Sequence, residues 1–216
     1  MNALILITGG TRSGKSAFAE KLAEEIYNSS IQKQKIAYIA TGAPIDKEFK
    51  ERIKKHKERR KDIFLTYEEE VYIDKKILEI YKKHQVFIIE CMSTWLGNIY
   101  YKYKEDEIVI KSQDIIKRLI TVILDGQKQE DVKNSFIKRV LKLEKKNFKN
   151  SIKKLLKINE SDKILIFVTS ETGLGIIPDN PMARSYRDNL GLLNQIVANS
   201  ANFVYLLVSG QPLRIK

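Results

Sequence analysis

Cysteine is nearly absent from this chain. Cys91 stands alone among 216 residues, which excludes an internal disulfide and every zinc pattern built from several cysteines, and suits a reducing cytoplasm. No apolar run approaches the ~20 residues of a membrane-spanning helix. At the N-terminus no charged stretch precedes an apolar one, because residues 3–8 already read as a strand, so no signal peptide is expected. Histidine is scarce too, with only His56 and His84. Neither an internal repeat nor a Pro/Gly/Ser linker divides the chain, so one domain over 1–216 is expected, and 43% hydrophobic residues suffice for its core. Negative charge is in short supply: 27 Asp and Glu face 39 Lys and Arg, a formal net charge of +12. Only nine of those cations are arginine, and much of the excess falls between residues 102 and 163. Such a surface suits nucleic acid or other anions, or is a lysine-rich solvated background. No nucleic-acid reader motif accompanies the charge, so nucleic acid is not expected as a partner.

What the chain does have is a phosphate loop. Gly9-Gly10-Thr11-Arg12-Ser13-Gly14-Lys15-Ser16 fits the pattern G-x-x-x-x-G-K-[ST]. The apolar run Leu4–Ile7 leads into it, and Phe18, Leu22 and Ile26 recur every four residues behind it, so strand, loop and helix follow in the required order. The glycines let backbone N–H groups close around phosphate oxygens, and the positive end of the helix faces the same anion. Lys15 is placed to reach the β- and γ-phosphates, and the Ser16 hydroxyl to ligate Mg²⁺.

The rest of the chain repeats strand and helix. Strands are expected at about 4–8, 36–41, 63–67, 86–90, 164–169 and 203–208, with helices at about 14–27, 46–60, 72–83, 94–103 and 181–200. The runs at 4–7, 86–89 and 164–168 are continuously apolar rather than alternating, which suits strands covered on both faces. The fold class is therefore α/β, a mostly parallel central sheet flanked by helices. Asn180 followed by Pro181 reads as a helix start, with Met182, Tyr186, Leu190, Leu193, Ile196 and Val197 as its apolar stripe. Residues 104–162 break the rhythm and read as a lysine-rich helical insertion. Helical periodicity runs through 115–124 and 136–156, and the charge reads as a solvated face.

Around the loop, a second carboxylate is needed at the end of a neighbouring strand, to bind Mg²⁺ or orient the attacking group. Glu90, closing Val86-Phe87-Ile88-Ile89-Glu90, supplies it, although a strand-end glutamate facing solvent has the same appearance. Thr41, Gly42 and Ala43 follow the second strand and Glu68 follows the third, so all lie at carboxyl ends, where open parallel sheets bind ligands. His56 sits in the basic helical run Arg52-Ile53-Lys54-Lys55-His56-Lys57-Glu58-Arg59-Arg60. Neighbouring cations disfavour its charged form and attract phosphate, so it reads either as a nucleophile or as a plain helix-surface histidine. His84 reads as a loop residue without a role, and Cys91 as a small core residue.

Taken together, these segments resemble the bifunctional adenosylcobinamide kinase / adenosylcobinamide-phosphate guanylyltransferase family of cobalamin biosynthesis. The loop, with Thr11 where alanine is usual, the strand Tyr38-Ile39-Ala40-Thr41 and the segment Arg52–Lys57 carry the likeness. So do Val168-Thr169-Ser170-Glu171-Thr172-Gly173-Leu174-Gly175-Ile176-Ile177-Pro178, Ala183-Arg184-Ser185-Tyr186-Arg187-Asp188, Asn194-Gln195 and Ser209-Gly210. Ser170 and Thr172 depart from the usual Asn and Val. The resemblance covers about 1–103 and 163–216. It implies a RecA-like P-loop NTPase fold, a homotrimer, and a corrinoid acceptor. ATP or GTP would be the phosphoryl donor, and GMP would pass from GTP through a covalent guanylyl-histidine. His56 matches that nucleophile, with Lys15 as its catalytic partner. The implied nucleotide contacts are Gly9, Gly10, Thr11, Arg12, Ser13, Gly14, Lys15, Ser16, Thr41, Gly42, Ala43, Lys57, Glu58, Arg59, Arg60, Glu68 and Glu90, with Ser16 and Glu90 toward Mg²⁺. Another small-molecule P-loop kinase would share the loop but not the histidine segment or the 173–178 run. A nucleic-acid-stimulated ATPase would be motivated by the +12 charge alone.

Overall fold

The computed structural model describes residues 2–42, 62–124 and 162–216. The strand opening the chain, β1 (Ala3–Gly9), leads through the glycine loop into α1 (Lys15–Ser29). Then come β2 (Ile36–Ala40), β3 (Phe64–Glu68), α2 (Ile73–Ile80) with a short 3₁₀ turn at Tyr81–Lys83, and β4 (Val86–Glu90). The chain continues through α3 (Met92–Lys102), α4 (Glu105–Leu124), β5 (Ile164–Val168), α5 (Pro181–Ser200), β6 (Phe203–Val208) and β7 (Gln211–Arg214). One seven-stranded sheet runs in the order β3-β2-β4-β5-β1-β6-β7. Every pairing is parallel except β6 with β7.

The apolar strands are continuous because both faces are covered. On β1, Ile5 and Ile7 pack with Ala19, Leu22 and Ile26 of α1. Leu4 and Leu6 point the other way, into a cluster with Trp95, Leu96, Ile116, Leu119 and Leu193. This alternation divides the core into two layers, one on each side of the sheet. Asn180 caps α5 through its Oδ1, which accepts from the Met182 and Ala183 amides at 2.8 and 3.3 Å, and Pro181 occupies the first turn. Within the expected α5 stripe, Leu190, Leu193 and Val197 are buried, but Met182, in the first turn, is 60% exposed.

Several expectations shift. Part of the segment read as a solvated insertion is core. Helix α4 buries Ile108, Ile115, Ile116, Leu119, Ile120 and Ile123, while Lys111 and Lys117 stay outside. Three acids in its first turn oppose the helix dipole favourably. The periodicity at 136–156 lies outside the described residues, as does the helix expected at 46–60. Strand β7 adds an antiparallel edge beyond the six expected strands. Ser209 and Gly210 both have positive φ, 50° and 80°, and form the two-residue turn that pairs Val208 with Gln211. His84 is no idle loop residue: it is 3% exposed, with Nδ1 2.5 Å from the Lys35 carbonyl and Nε2 2.8 Å from the Tyr67 hydroxyl. Cys91 is half-buried rather than core. It caps α3, its Sγ accepting from the Thr94 amide.

Candidate nucleotide site

The loop's shape follows from its glycines. Gly9 has φ 149°, and a Cβ there would lie 2.4 Å from the Leu207 carbonyl and 2.9 Å from Ser13 Oγ. Gly14 takes φ 93° as the residue before α1, with no side-chain cap on that helix. The first-turn N–H groups are therefore not engaged by a capping side chain. Ser13 Oγ is buried and has no hydrogen-bond partner among the described residues. A buried hydroxyl left in that state inside the loop is a ready donor to an anion. Backbone contacts from outside help to hold the loop: the Gly210 amide donates to the Ser13 carbonyl at 3.0 Å, and the Glu171 amide to the Gly9 carbonyl at 3.1 Å. The turn between β6 and β7 thus braces the loop. The sequence signal for it was the Ser209-Gly210 pair.

Lys15 curls back over the loop. Its Nζ donates to the carbonyls of Gly9 at 2.9 Å and Gly10 at 2.6 Å. Burial lowers its pKa from the usual lysine range, and the Glu90 carboxylate opposes that shift. Glu90 ends β4, on the α1 side with Val86 and Ile88. Its Oε1 accepts from Ser16 Oγ at 2.6 Å, a bond between residues 74 apart in sequence. Hydroxyl and carboxylate at hydrogen-bond distance are hard oxygen donors of the kind Mg²⁺ takes alongside water and phosphate oxygens.

The other candidates divide by depth. Thr41 is buried, with its amide donating to Glu90, its hydroxyl to the Cys91 carbonyl at 2.9 Å and its carbonyl accepting from Asn98 Nδ2 at 2.7 Å. It braces the crevice from beneath. Gly42 is half-buried beside it. Glu68 is exposed at the end of edge strand β3, level with Glu90 because both pair with Ala40. Two strand spacings put their backbones about 10 Å apart. Gly10, Thr11 and Arg12 are exposed on the outer turn of the loop, where Arg12 has φ 57°. Ala43, His56, Lys57, Glu58, Arg59 and Arg60 lie outside the described residues.

Sequence reasoning passed over the wall between loop and α3. There Cys91 Sγ lies 3.0 Å from Ser93 Oγ, and Ser93 Oγ 3.4 Å from Ser170 Oγ. Tyr186 donates to the Ser93 carbonyl at 2.7 Å, and burial pushes its hydroxyl pKa far up, with Cys91 and Tyr100 adding to the shift. The Ser93–Ser170 and Tyr186–Ser93 contacts join residues far apart in the chain, so no local pattern announces them.

The sequence profile of the cobinamide kinase / cobinamide phosphate guanyltransferase family matches residues 5–215. The "bifunctional adenosylcobalamin biosynthesis protein CobU" of Escherichia coli is 32% identical over 213 residues, covering 99% of each chain. The protein of the same name from Salmonella typhimurium is 28% identical, again over 99% of each. The "bifunctional adenosylcobalamin biosynthesis protein CobP" of Pseudomonas aeruginosa is 27% identical over 98% of this chain and 96% of its own. Among solved structures, a KaiC-like protein, PH0186, from Pyrococcus horikoshii is similar at 13% identity and a TM-score of 0.43, over 94% of this chain and 70% of that one. Strand–loop–helix, the Ser16–Glu90 pair and a full-length family match agree, and the chain belongs to the cobinamide kinase / cobinamide phosphate guanyltransferase family.

Proposed function

We propose that one phosphate cradle, residues Gly9–Ser16 with Glu90, serves both reactions of this enzyme. As a member of its family the chain is a transferase of adenosylcobalamin biosynthesis that phosphorylates cobinamide and passes GMP to cobinamide phosphate. In the first reaction the acceptor hydroxyl attacks the γ-phosphorus of ATP or GTP and the nucleoside diphosphate leaves. The loop amides, Ser13 and Lys15 offset the charge of the phosphoryl oxygens, and Ser16 and Glu90 would hold Mg²⁺. When bound, that ion supplies further neutralisation of the phosphate charge.

In the second reaction His56 is the nucleophile. An imidazole nitrogen attacks the α-phosphorus of GTP, pyrophosphate leaves, and the acceptor's phosphate oxygen then displaces the histidine. Arg59 and Arg60 follow His56 three and four positions on in the sequence, and such cations would attract the triphosphate. Lys57, Glu58, Glu68 and the 41–43 segment complete the nucleotide contacts of this reading. The protein works in the cytoplasm, as a homotrimer, on a corrinoid acceptor. No helix among the described residues is long and apolar enough to cross a membrane.

The observation that carries the reading is the 2.6 Å Ser16–Glu90 bond beside Lys15. GTP labelled at the α-phosphate tests it. Wild type should form an acid-labile, base-stable adduct. His56→Ala should lose the adduct and the guanylyl transfer while keeping much of the kinase activity. An adduct persisting in His56→Ala would sink the mechanism.

A further inference from the structure

Strand β5 runs between the strand that carries the loop and the strand that carries Glu90. Ile7 of β1 and Glu90 of β4 both pair with Val168. The parallel ladder continues past β5, since the Thr169 amide donates to Ile7 at 3.0 Å and the Glu171 amide to Gly9 at 3.1 Å. Side chains therefore keep alternating to residue 171. Ile164, Ile166 and Val168 pack in the α1 layer, and Leu165 and Phe167 in the other. Thr169 follows the second set: its buried hydroxyl donates to Asn194 Oδ1 of α5 at 2.8 Å. Ser170 is thereby denied the α5 side and emerges at the crest between Gly9 and Glu90.

The crest is held from below. Asn194, 8% exposed, also donates from Nδ2 to the Ser170 carbonyl at 3.1 Å. One amide thus grips both Thr169 and Ser170, leaving little freedom in the backbone that carries the Ser170 hydroxyl. That hydroxyl is half-buried, and its contact in the structure is Ser93 Oγ at 3.4 Å, at the outer limit of a hydrogen bond. Turning it toward a stronger acceptor forfeits little.

We propose that Ser170 is a catalytic residue of the kinase step, its hydroxyl donating to a non-bridging oxygen of the transferred phosphoryl group, with Asn194 as the positioning residue. The inference rests on the shared-cradle reading above. A preorganised donor aimed at developing charge acts mainly on turnover, and its loss typically lowers kcat about 10²-fold.

The test measures kcat and KM for cobinamide phosphorylation, and the dissociation constant for GTP, in Ser170→Ala, Ser170→Thr and Asn194→Ala. Ser170→Ala should lose about 10²-fold in kcat with GTP affinity within about threefold of wild type. Ser170→Thr, which keeps the donor, should recover most of the rate. Asn194→Ala should show the same kcat-weighted loss in smaller measure. Wild-type kcat in Ser170→Ala overturns the proposal. So does a loss that Ser170→Thr fails to repair, or one that appears equally in GTP affinity, since either marks a structural role. Should Ser170→Ala fold poorly, Ser170→Cys keeps the side chain's shape with a weaker donor and must fall between wild type and the expected alanine loss. Lys15→Ala run alongside separates the two readings: normal rates there refute the cradle, whereas a collapse there with normal Ser170→Ala refutes this inference alone.

Discussion

Gly9→Ala puts the loop's geometry to a quantitative test. The new Cβ would lie 2.4 Å from the Leu207 carbonyl oxygen, 2.9 Å from Ser13 Oγ and 3.2 Å from the Leu207 amide nitrogen. Comfortable non-bonded separations are about 3.5 Å, so backbone on one side or the other must move by about 1 Å. Leu207 is the β6 partner of Gly9 in the parallel ladder. Relief therefore separates β1 from β6 or displaces the loop. Overpacking of this kind costs about 1–3 kcal/mol, and an alanine at φ 149° adds about 1 kcal/mol or more of strain. The sum, about 2–4 kcal/mol, lowers Tm by about 5–15 °C in a domain of this size. Gly10→Ala is the matched control. Nothing lies within 4 Å of its Cβ position, and an exposed substitution of this sort usually stays within about 0.5 kcal/mol. Thermal and urea unfolding of both variants, with GTP affinity measured on each, decides the matter. Gly9→Ala should lose stability and affinity together. A Gly9→Ala protein melting with wild type, or a Gly10→Ala protein falling as far, would refute the reasoning from contacts.

Lys15→Ala should impair both phosphorylation and GMP transfer by about 10²–10³-fold, because a preorganised cation is lost from the shared cradle. Steady-state assays of the two reactions check this, and wild-type rates in both would contradict it. The His84 imidazole should make folding stability pH-dependent. Burial first, then Lys163 and Lys83, lower its pKa from 6.5, against a raising bond to the Lys35 carbonyl. Its contribution is accordingly complete above the unfolded value and lost as pH falls through the lowered native value. Urea midpoints of wild type should drop from pH 8 toward pH 5 more steeply than those of His84→Gln, and parallel slopes would contradict the assignment.

Local order was legible in the residues themselves. The strand–loop–helix at the N-terminus, the Asn180-Pro181 helix start and most strand positions within a residue or two follow from hydrophobic period, capping and glycine placement, all of which act over a few neighbours. Candidate groups at strand ends were legible for the same reason, since a parallel sheet collects its carboxyl ends on one edge. Neighbourhood was not legible. Nothing in residues 86–90 says that β4 stands one strand away from β1 with β5 between them, yet that order joins Ser16 to Glu90 and sets Ser170, just past the end of β5, at the crest between Gly9 and Glu90. Helix α4 looks like part of a charged insertion because Lys111 and Lys117 alternate with the isoleucines. Only packing against α2, α3 and α5 reveals which face is core. Thr41 and His84 are polar residues whose sites become interior when β2, β3 and β4 close together, and there their hydrogen bonds replace water. A chain's own periodicity says which face of an element seeks cover; which element supplies the cover is decided by the sum of ladder bonds and buried area over the whole sheet, and so appears only in the tertiary structure.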